Sequence, residues 1–162
     1  MINLTENEKA YIAGFIDGDG CILSQIIKRE DYKYKFQIRV SITFYQKKKR
    51  HWFILWLHKK LKYGVIRIRN DNMSEYTITG FKLVKQVLIL IYPYLMIKRP
   101  IAKLVFKIIE EVKTVESKEH FLEVCKLVDK IAHHTDSKKR KNTSELVELT
   151  LFPPVETDSG PK

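Results

Sequence analysis

Asp17 and Asp19 are the residues best placed to do chemistry in this chain. They stand in Asp17-Gly18-Asp19-Gly20, where the helical run Ala10-Tyr11-Ile12-Ala13-Gly14-Phe15-Ile16 gives out and a strand-like run begins at Cys21. A helix C-terminus carries exposed carbonyls and partial negative charge, so a carboxylate there is locally unfavourable. A bound cation removes that conflict. A calcium loop does not fit, because Cys21 and Ile22 stand where that motif needs an oxygen ligand and a glycine. A dinucleotide fingerprint does not fit either, since it follows a strand and opens a helix, whereas these glycines close a helix. Other candidate ligands are scattered. His51, His58, His120, His133 and His134 share no common spacing, and Cys21 and Cys125 lie far apart without a second Cys or His at metal-ligand distance in sequence.

The helix that leads to the two aspartates has its own peculiarity. Ala10, Ala13, Gly14 and Gly18 recur at three- and four-residue spacing, leaving one face nearly bare for the close approach of a second backbone. Glycine inside a helix costs about 1 kcal/mol relative to alanine, so Gly14 and Gly18 call for a reason such as close packing. Thr5 and Glu8 form a capping-box pattern, which starts the helix near Glu6 and lets it run to about Gly18.

Downstream, Cys21 to Lys28 reads as a strand, turned back by the charged stretch from Arg29 to Lys33. Phe36, Ile38, Val40, Ile42 and Phe44 alternate with Lys35, Gln37, Arg39, Ser41, Thr43 and Tyr45, the pattern of a strand with one buried and one wet face. Lys47-Lys48-Lys49-Arg50 is expected to open a second helix bearing Phe53, Ile54, Trp56, Leu57 and Leu61. Basic residues there oppose the helix dipole, so phosphate binding rather than helix stability accounts for them. A second hairpin follows, from Gly64 to Arg69 and from Glu75 to Thr79, around Asn70-Asp71-Asn72. Apolar stripes then predict helices over Phe81–Ile91, after Pro100 and after Ser117, with a last short one from Ser144 to Phe152.

This order predicts an α+β fold: an αββαββα core with a four-stranded, mainly antiparallel, saddle-shaped sheet, helices on one face, and further helices at the C-terminus. The 162 residues suit one domain over residues 1–152 with a disordered tail at 153–162. The formal net charge of +11 suits a polyanionic partner. No apolar run approaches the roughly 20 residues of a membrane span and no secretory signal opens the chain, so nucleic acid is favoured over membrane. The open sheet face, rich in Arg, Gln, Ser and Thr, carries the side chains that read base edges in a major groove. The two widely separated cysteines suit a reducing compartment, and the abundance of Lys, Ile, Tyr, Phe and Asn suits an AT-rich coding sequence.

Ile12-Ala13-Gly14-Phe15-Ile16-Asp17-Gly18-Asp19-Gly20 closely resembles the signature of the LAGLIDADG homing endonucleases, and the resemblance extends through the element order from Thr5 to Ser144. One copy of the signature is present, which resembles the homodimeric, group I intron-encoded class. That resemblance implies double-strand cleavage of a long, roughly palindromic DNA target, in the service of intron mobility, by two subunits packed through Ala10, Ala13, Gly14 and Asp17. It implies Mg²⁺ (or Mn²⁺) at Asp19 and the carbonyl of Gly18, no small-molecule cofactor, and polar and basic residues around the metal at Gln46, Arg50 and Lys98. Read without the family, Gln46 is equally a strand-end cap, Arg50 a phosphate contact and Lys98 a surface lysine beside Pro100. Alternation and family position together give the base readers as Gln25, Ile27, Arg29, Tyr32, Gln37, Arg39, Ser41, Thr43, Arg67, Arg69, Glu75 and Thr77. Lys47, Lys48, Lys49, Lys138, Lys139 and Lys141 suit phosphates. Family habit adds a chloroplast or mitochondrial origin. Proteins resembling this family also act as non-cleaving nucleic-acid binders such as RNA splicing maturases. A merely basic, dimerising module would leave the one-sided polar strands unexplained.

Overall fold

The computed structural model describes residues 1–135, 140–156 and 160. Helix α1 (Glu6–Asp19) starts on the expected capping box: the Thr5 hydroxyl accepts the Glu8 N–H at 3.2 Å, and the Thr5 N–H donates to the Glu8 carboxylate at 3.0 Å. Two otherwise orphaned donors are thereby satisfied. The helix passes directly into strand β1 (Gly20–Lys28). Gly20 makes the change possible, because a Cβ there would lie 2.7 Å from the Ile16 Cα.

Strand β2 (Phe36–Lys47) pairs with β1 along its length, from Gly20 opposite Phe44 to Lys28 opposite Phe36. A single 3₁₀ turn (Lys48–Arg50) leads into α2 (His51–Leu61), followed by β3 (Val65–Ile68) and β4 (Met73–Thr79). The strands stand in the order β1-β2-β4-β3 with every neighbour antiparallel. Helices α3 (Phe81–Ile91), α4 (Arg99–Val112), α5 (Lys118–Ala132) and α6 (Ser144–Leu151) complete the chain.

Ile22, Ile26, Phe36, Ile38, Val40, Ile42, Phe44, Tyr76 and Ile78 are the buried apolar residues of the sheet, and the helices cover them. The opposite parity of each strand faces away. The fold is therefore the α+β arrangement the sequence predicts, with the wet face left uncovered.

One boundary differs. The expected helix at Lys47 begins instead at His51, after the 3₁₀ turn. Lys47 remains in the ladder opposite Met73, and the Lys48 N–H donates to the Asn72 carbonyl at 2.8 Å. Cross-strand bonds thus hold the first two lysines, and the dipole penalty of a basic N-terminus is kept out of α2. Residues 153–156 are exposed and carry no regular structure; the rest of the expected tail, apart from residue 160, lies outside the described residues.

Candidate nucleic-acid interface and cleavage site

Strand register decides which polar residues share the open face. Gln25 stands opposite Arg39, Ile27 opposite Gln37, Thr43 opposite Thr77, and Glu75 opposite both Tyr45 and Arg67. Gln25 and Arg67 are exposed, while Ile27, Gln37, Arg39, Arg69, Glu75 and Thr77 are half-buried. Ser41 and Thr43 lie on this face but do not reach its surface, being 6% and 7% exposed. Their short side chains sit at the centre of the sheet, between longer neighbours, and the Thr43 hydroxyl lies 3.2 Å from that of Thr77. Their hydroxyls lie low on the face, beneath the longer side chains around them.

Several expected readers are already engaged. In the β1–β2 loop, Arg29 meets the Asp31 carboxylate at 3.2 and 3.3 Å and stands 5.2 Å over the Tyr32 ring. The Arg29 hydrogen bond holds the Asp31 carboxyl below its ordinary value, and Asp31 raises Arg29 in turn. Glu75 lies 3.7 Å from Arg67 and 3.6 Å from Arg69, which also pairs with Asp71 at 2.8 Å. Glu75 thus organises two arginines. Tyr45 belongs on the same face by parity and was not among the expected readers. Burial, then the neighbouring Cys21 and Glu75, raise its hydroxyl above the ordinary tyrosine value, so it is a neutral hydrogen-bonding group.

Basic residues border this face. Lys47, Lys48 and Lys49 are exposed and line a cavity of about 480 Å³ with Asp71, Asn72 and Met73. Lys141 lines another of about 520 Å³ with Gln25 and Arg39, held near the β1 edge by the Asn142 side-chain N–H donating to the Ile26 carbonyl at 3.0 Å. Lys138 and Lys139 lie outside the described residues.

The carboxylates meet the sheet at the α1–β1 junction. Because Gly20 pairs with Phe44, Asp19 emerges beside the end of β2 that carries Gln46. The Gln46 Oε1 accepts the Arg50 Nε–H at 2.5 Å. Lys98 is brought in by Asp17, whose carboxylate accepts the backbone N–H of Met96 at 2.8 Å and of Lys98 at 2.9 Å. The Lys98 ammonium donates to the Asp17 carbonyl at 2.9 Å, placing positive charge at the negative pole of α1. The Asp17 carboxylate is therefore committed to a contact within its own chain, while the residue itself stays half-buried. Burial raises the thiol of Cys21 above its ordinary value and keeps it protonated.

Asp19 and Gly18 are exposed. Among the described residues no group of three or more His, Cys, Asp or Glu could hold a metal by itself. One carboxylate and one carbonyl nevertheless form an all-oxygen donor pair that suits a hard cation such as Mg²⁺, which retains waters and takes few protein ligands. These residues fit such an ion with water completing its shell. On the free side of α1, Ala10, Gly14 and Gly18 are exposed, and a Cβ on either glycine would meet nothing within 4 Å. Ala13 is 0% exposed. It packs into the protein's own core, one helical step away from the bare stripe, and is corrected out of the expected interface.

A sheet with one polar, basic face and an exposed acid at the adjoining helix end suits a protein that works on nucleic acid. Residues 12–108 match the LAGLIDADG endonuclease family. The chain is 43% identical over 142 residues to the DNA endonuclease I-CvuI of Chlorella vulgaris, covering 88% of each chain. It is 42% identical over 142 residues to the DNA endonuclease I-CreI of Chlamydomonas reinhardtii, covering 87% of this chain and 86% of that one. The crystal structure of I-CvuI with the I-CreI target and Mg superposes with a TM-score of 0.86 at 40% identity, over 90% of this chain and 93% of that one. The archaeal I-Vdi141I bound to DNA shares the fold, with a TM-score of 0.78 at 16% identity, over 90% of this chain and 95% of that one. The chain belongs to the LAGLIDADG endonuclease family.

Proposed function

We propose that this LAGLIDADG endonuclease, a site-specific DNA-cutting enzyme, cleaves both strands of a long, roughly palindromic duplex as a homodimer that requires a divalent metal ion. The carrying observation is the junction at Gly20, which joins an exposed carboxylate at a helix end to an open sheet face bearing Gln25, Arg39 and Arg67. DNA lying on that face has its backbone close to Asp19.

In this reading the stripe of Ala10, Gly14 and Gly18 packs on its twin, bringing two copies of Asp19 together at the twofold axis. Each Asp19 carboxylate, with the Gly18 carbonyl, holds Mg²⁺ or Mn²⁺. Held there, a divalent ion would supply Lewis-acid activation of the phosphate and of water. Gln46 and Arg50, joined at 2.5 Å, present an amide and a guanidinium that order water and balance phosphate charge. Lys98, fixed by Asp17, adds a cation that keeps the acidic helix end from repelling DNA. Gln25, Gln37, Arg39 and Arg67 read base edges, and Lys47, Lys48 and Lys141 hold phosphates. Family habit and the AT-biased composition support an organellar intron as the source.

The test is incubation with a randomised duplex library, in Mg²⁺ or in EDTA, followed by sequencing of new ends. Discrete Mg²⁺-dependent ends flanked by a long twofold-related consensus are expected. Enrichment without cutting would reassign the chain to non-cleaving binding.

A further inference from the structure

The turn that carries Gln46 and Arg50 is closed by a contact that belongs neither to the sheet ladder nor to α2. Ser74 is 0% exposed, and its hydroxyl lies 2.8 Å from His51 Nδ1. In the β2–β4 register Ser74 stands directly opposite Gln46. Gln46 is bonded through its side chain to Arg50, and Arg50 precedes His51 in the chain. The result is a closed ring: Gln46 to Arg50 by side chains, Arg50 to His51 by the peptide bond, His51 to Ser74 by side chains, and Ser74 to Gln46 across the ladder.

The ring lies where strand gives way to helix. Strand β2 ends at Lys47, the 3₁₀ turn spans three residues, and no side chain caps α2 at Arg50. Short 3₁₀ segments have poorer hydrogen-bond geometry than α-helix, so the turn depends on lateral contacts. The Lys48 N–H to Asn72 carbonyl bond at 2.8 Å holds one side of it. His51 holds the other. Breaking its contact leaves the Ser74 hydroxyl unpaired in an apolar setting, which the turn would shift to relieve.

We propose that His51 is a positioning residue, acting through Ser74 to hold Gln46 and Arg50 as one unit beside Asp19. This assignment rests on the role given above to Gln46 and Arg50 in cleavage. Such a residue governs the rate of the bound complex more than its formation.

The experiment compares wild type with H51A, S74A and H51N, the asparagine amide being able to reach the Ser74 hydroxyl. In the free protein, solvent exchange of the Arg50 Nε–H is followed by NMR, with its signal assigned by its loss in R50K. Faster exchange in H51A and S74A is expected, with the fold retained by circular dichroism and with recovery in H51N. On a duplex recovered from the library, H51A should lower the single-turnover cleavage rate about tenfold or more while leaving DNA affinity in EDTA unchanged. Wild-type Arg50 exchange in both H51A and S74A, or a wild-type cleavage rate in both, would overturn the proposal. If H51A fails to fold, S74A removes the same bond with almost no change of volume and decides alone. If the wild-type protein binds DNA without cutting, the cleavage reading fails, and the exchange measurement still decides whether His51 holds Arg50.

Discussion

Asp19 is exposed, its carboxylate has no hydrogen-bond partner among the described residues, and it stands at the end of a helix where a carboxylate is disfavoured. Asp19→Asn removes the charge while keeping the shape, and it relieves the helix end. We therefore expect D19N to keep or slightly raise the melting temperature and to bind duplex DNA at least as well, while cleavage falls by about a hundredfold or more. Calorimetry, gel shift and a cleavage time course check the three parts; cutting at the wild-type rate would remove Asp19 from the mechanism. This residue was legible in sequence because its neighbours are fixed by sterics. Gly20 admits no Cβ beside Ile16, which fixes the glycine that follows the acid in the motif. Ser41 and Thr43 were legible only by face, since alternation reports parity and says nothing of the height of neighbouring side chains. His51 and Ser74 were not legible at all, because their contact joins residues 23 apart through a register that only the folded sheet sets.

Among the elements, α1 separates packing from function most sharply. Its start was readable from Thr5 and Glu8, and the helix Phe81–Ile91 from its apolar stripe, because capping and periodicity are local properties. The β2–α2 connection was misread by a few residues, since a run of lysines carries no signal for a 3₁₀ turn held by Asn72 from another strand. The small-residue face was readable as bare but not in its rotation: Ala13 turns inward, and the open stripe is Ala10, Gly14 and Gly18. That distinction gives two substitutions opposite signatures. Gly14→Leu meets open space in the monomer and replaces a poor helix former, so the isolated subunit should gain roughly 0.5–1 kcal/mol while sedimentation shows loss of the dimer. Ala13→Leu overfills the core and should cost about 1–3 kcal/mol of stability in the subunit itself. A well-folded G14L dimer would exclude the helix face as the interface.

For the molecule as a whole, the excess of 30 basic over 19 acidic side chains acts as a field that attracts DNA, and in the proposed reading the sheet and its rim receive it. Its parts are not equivalent. Arg67 and Arg69 share Glu75, and Arg29 is paired with Asp31, so these arginines approach DNA with much of their charge already compensated. Lys47 and Lys48 are exposed and have no salt-bridge partner among the described residues. Neutralising a free lysine removes a counterion-releasing phosphate contact, whereas neutralising a paired arginine also frees its carboxylate. The salt dependence of binding can resolve the two. The slope of log affinity against log salt should become shallower by about one unit per phosphate contact removed. In a homodimer each substitution acts twice, so the K47Q/K48Q double variant should flatten the slope by about four units, against about two for a monomer. R67Q should change the slope by less than either lysine, and by weakening a base contact it should cost affinity mainly on the selected target rather than on random duplex. Fluorescence anisotropy on both duplexes across a salt series, in EDTA to prevent cutting, measures every one of these quantities. Equal slopes for K47Q/K48Q and wild type would take these two lysines out of the DNA contact, leaving them without a role in holding the backbone near Asp19.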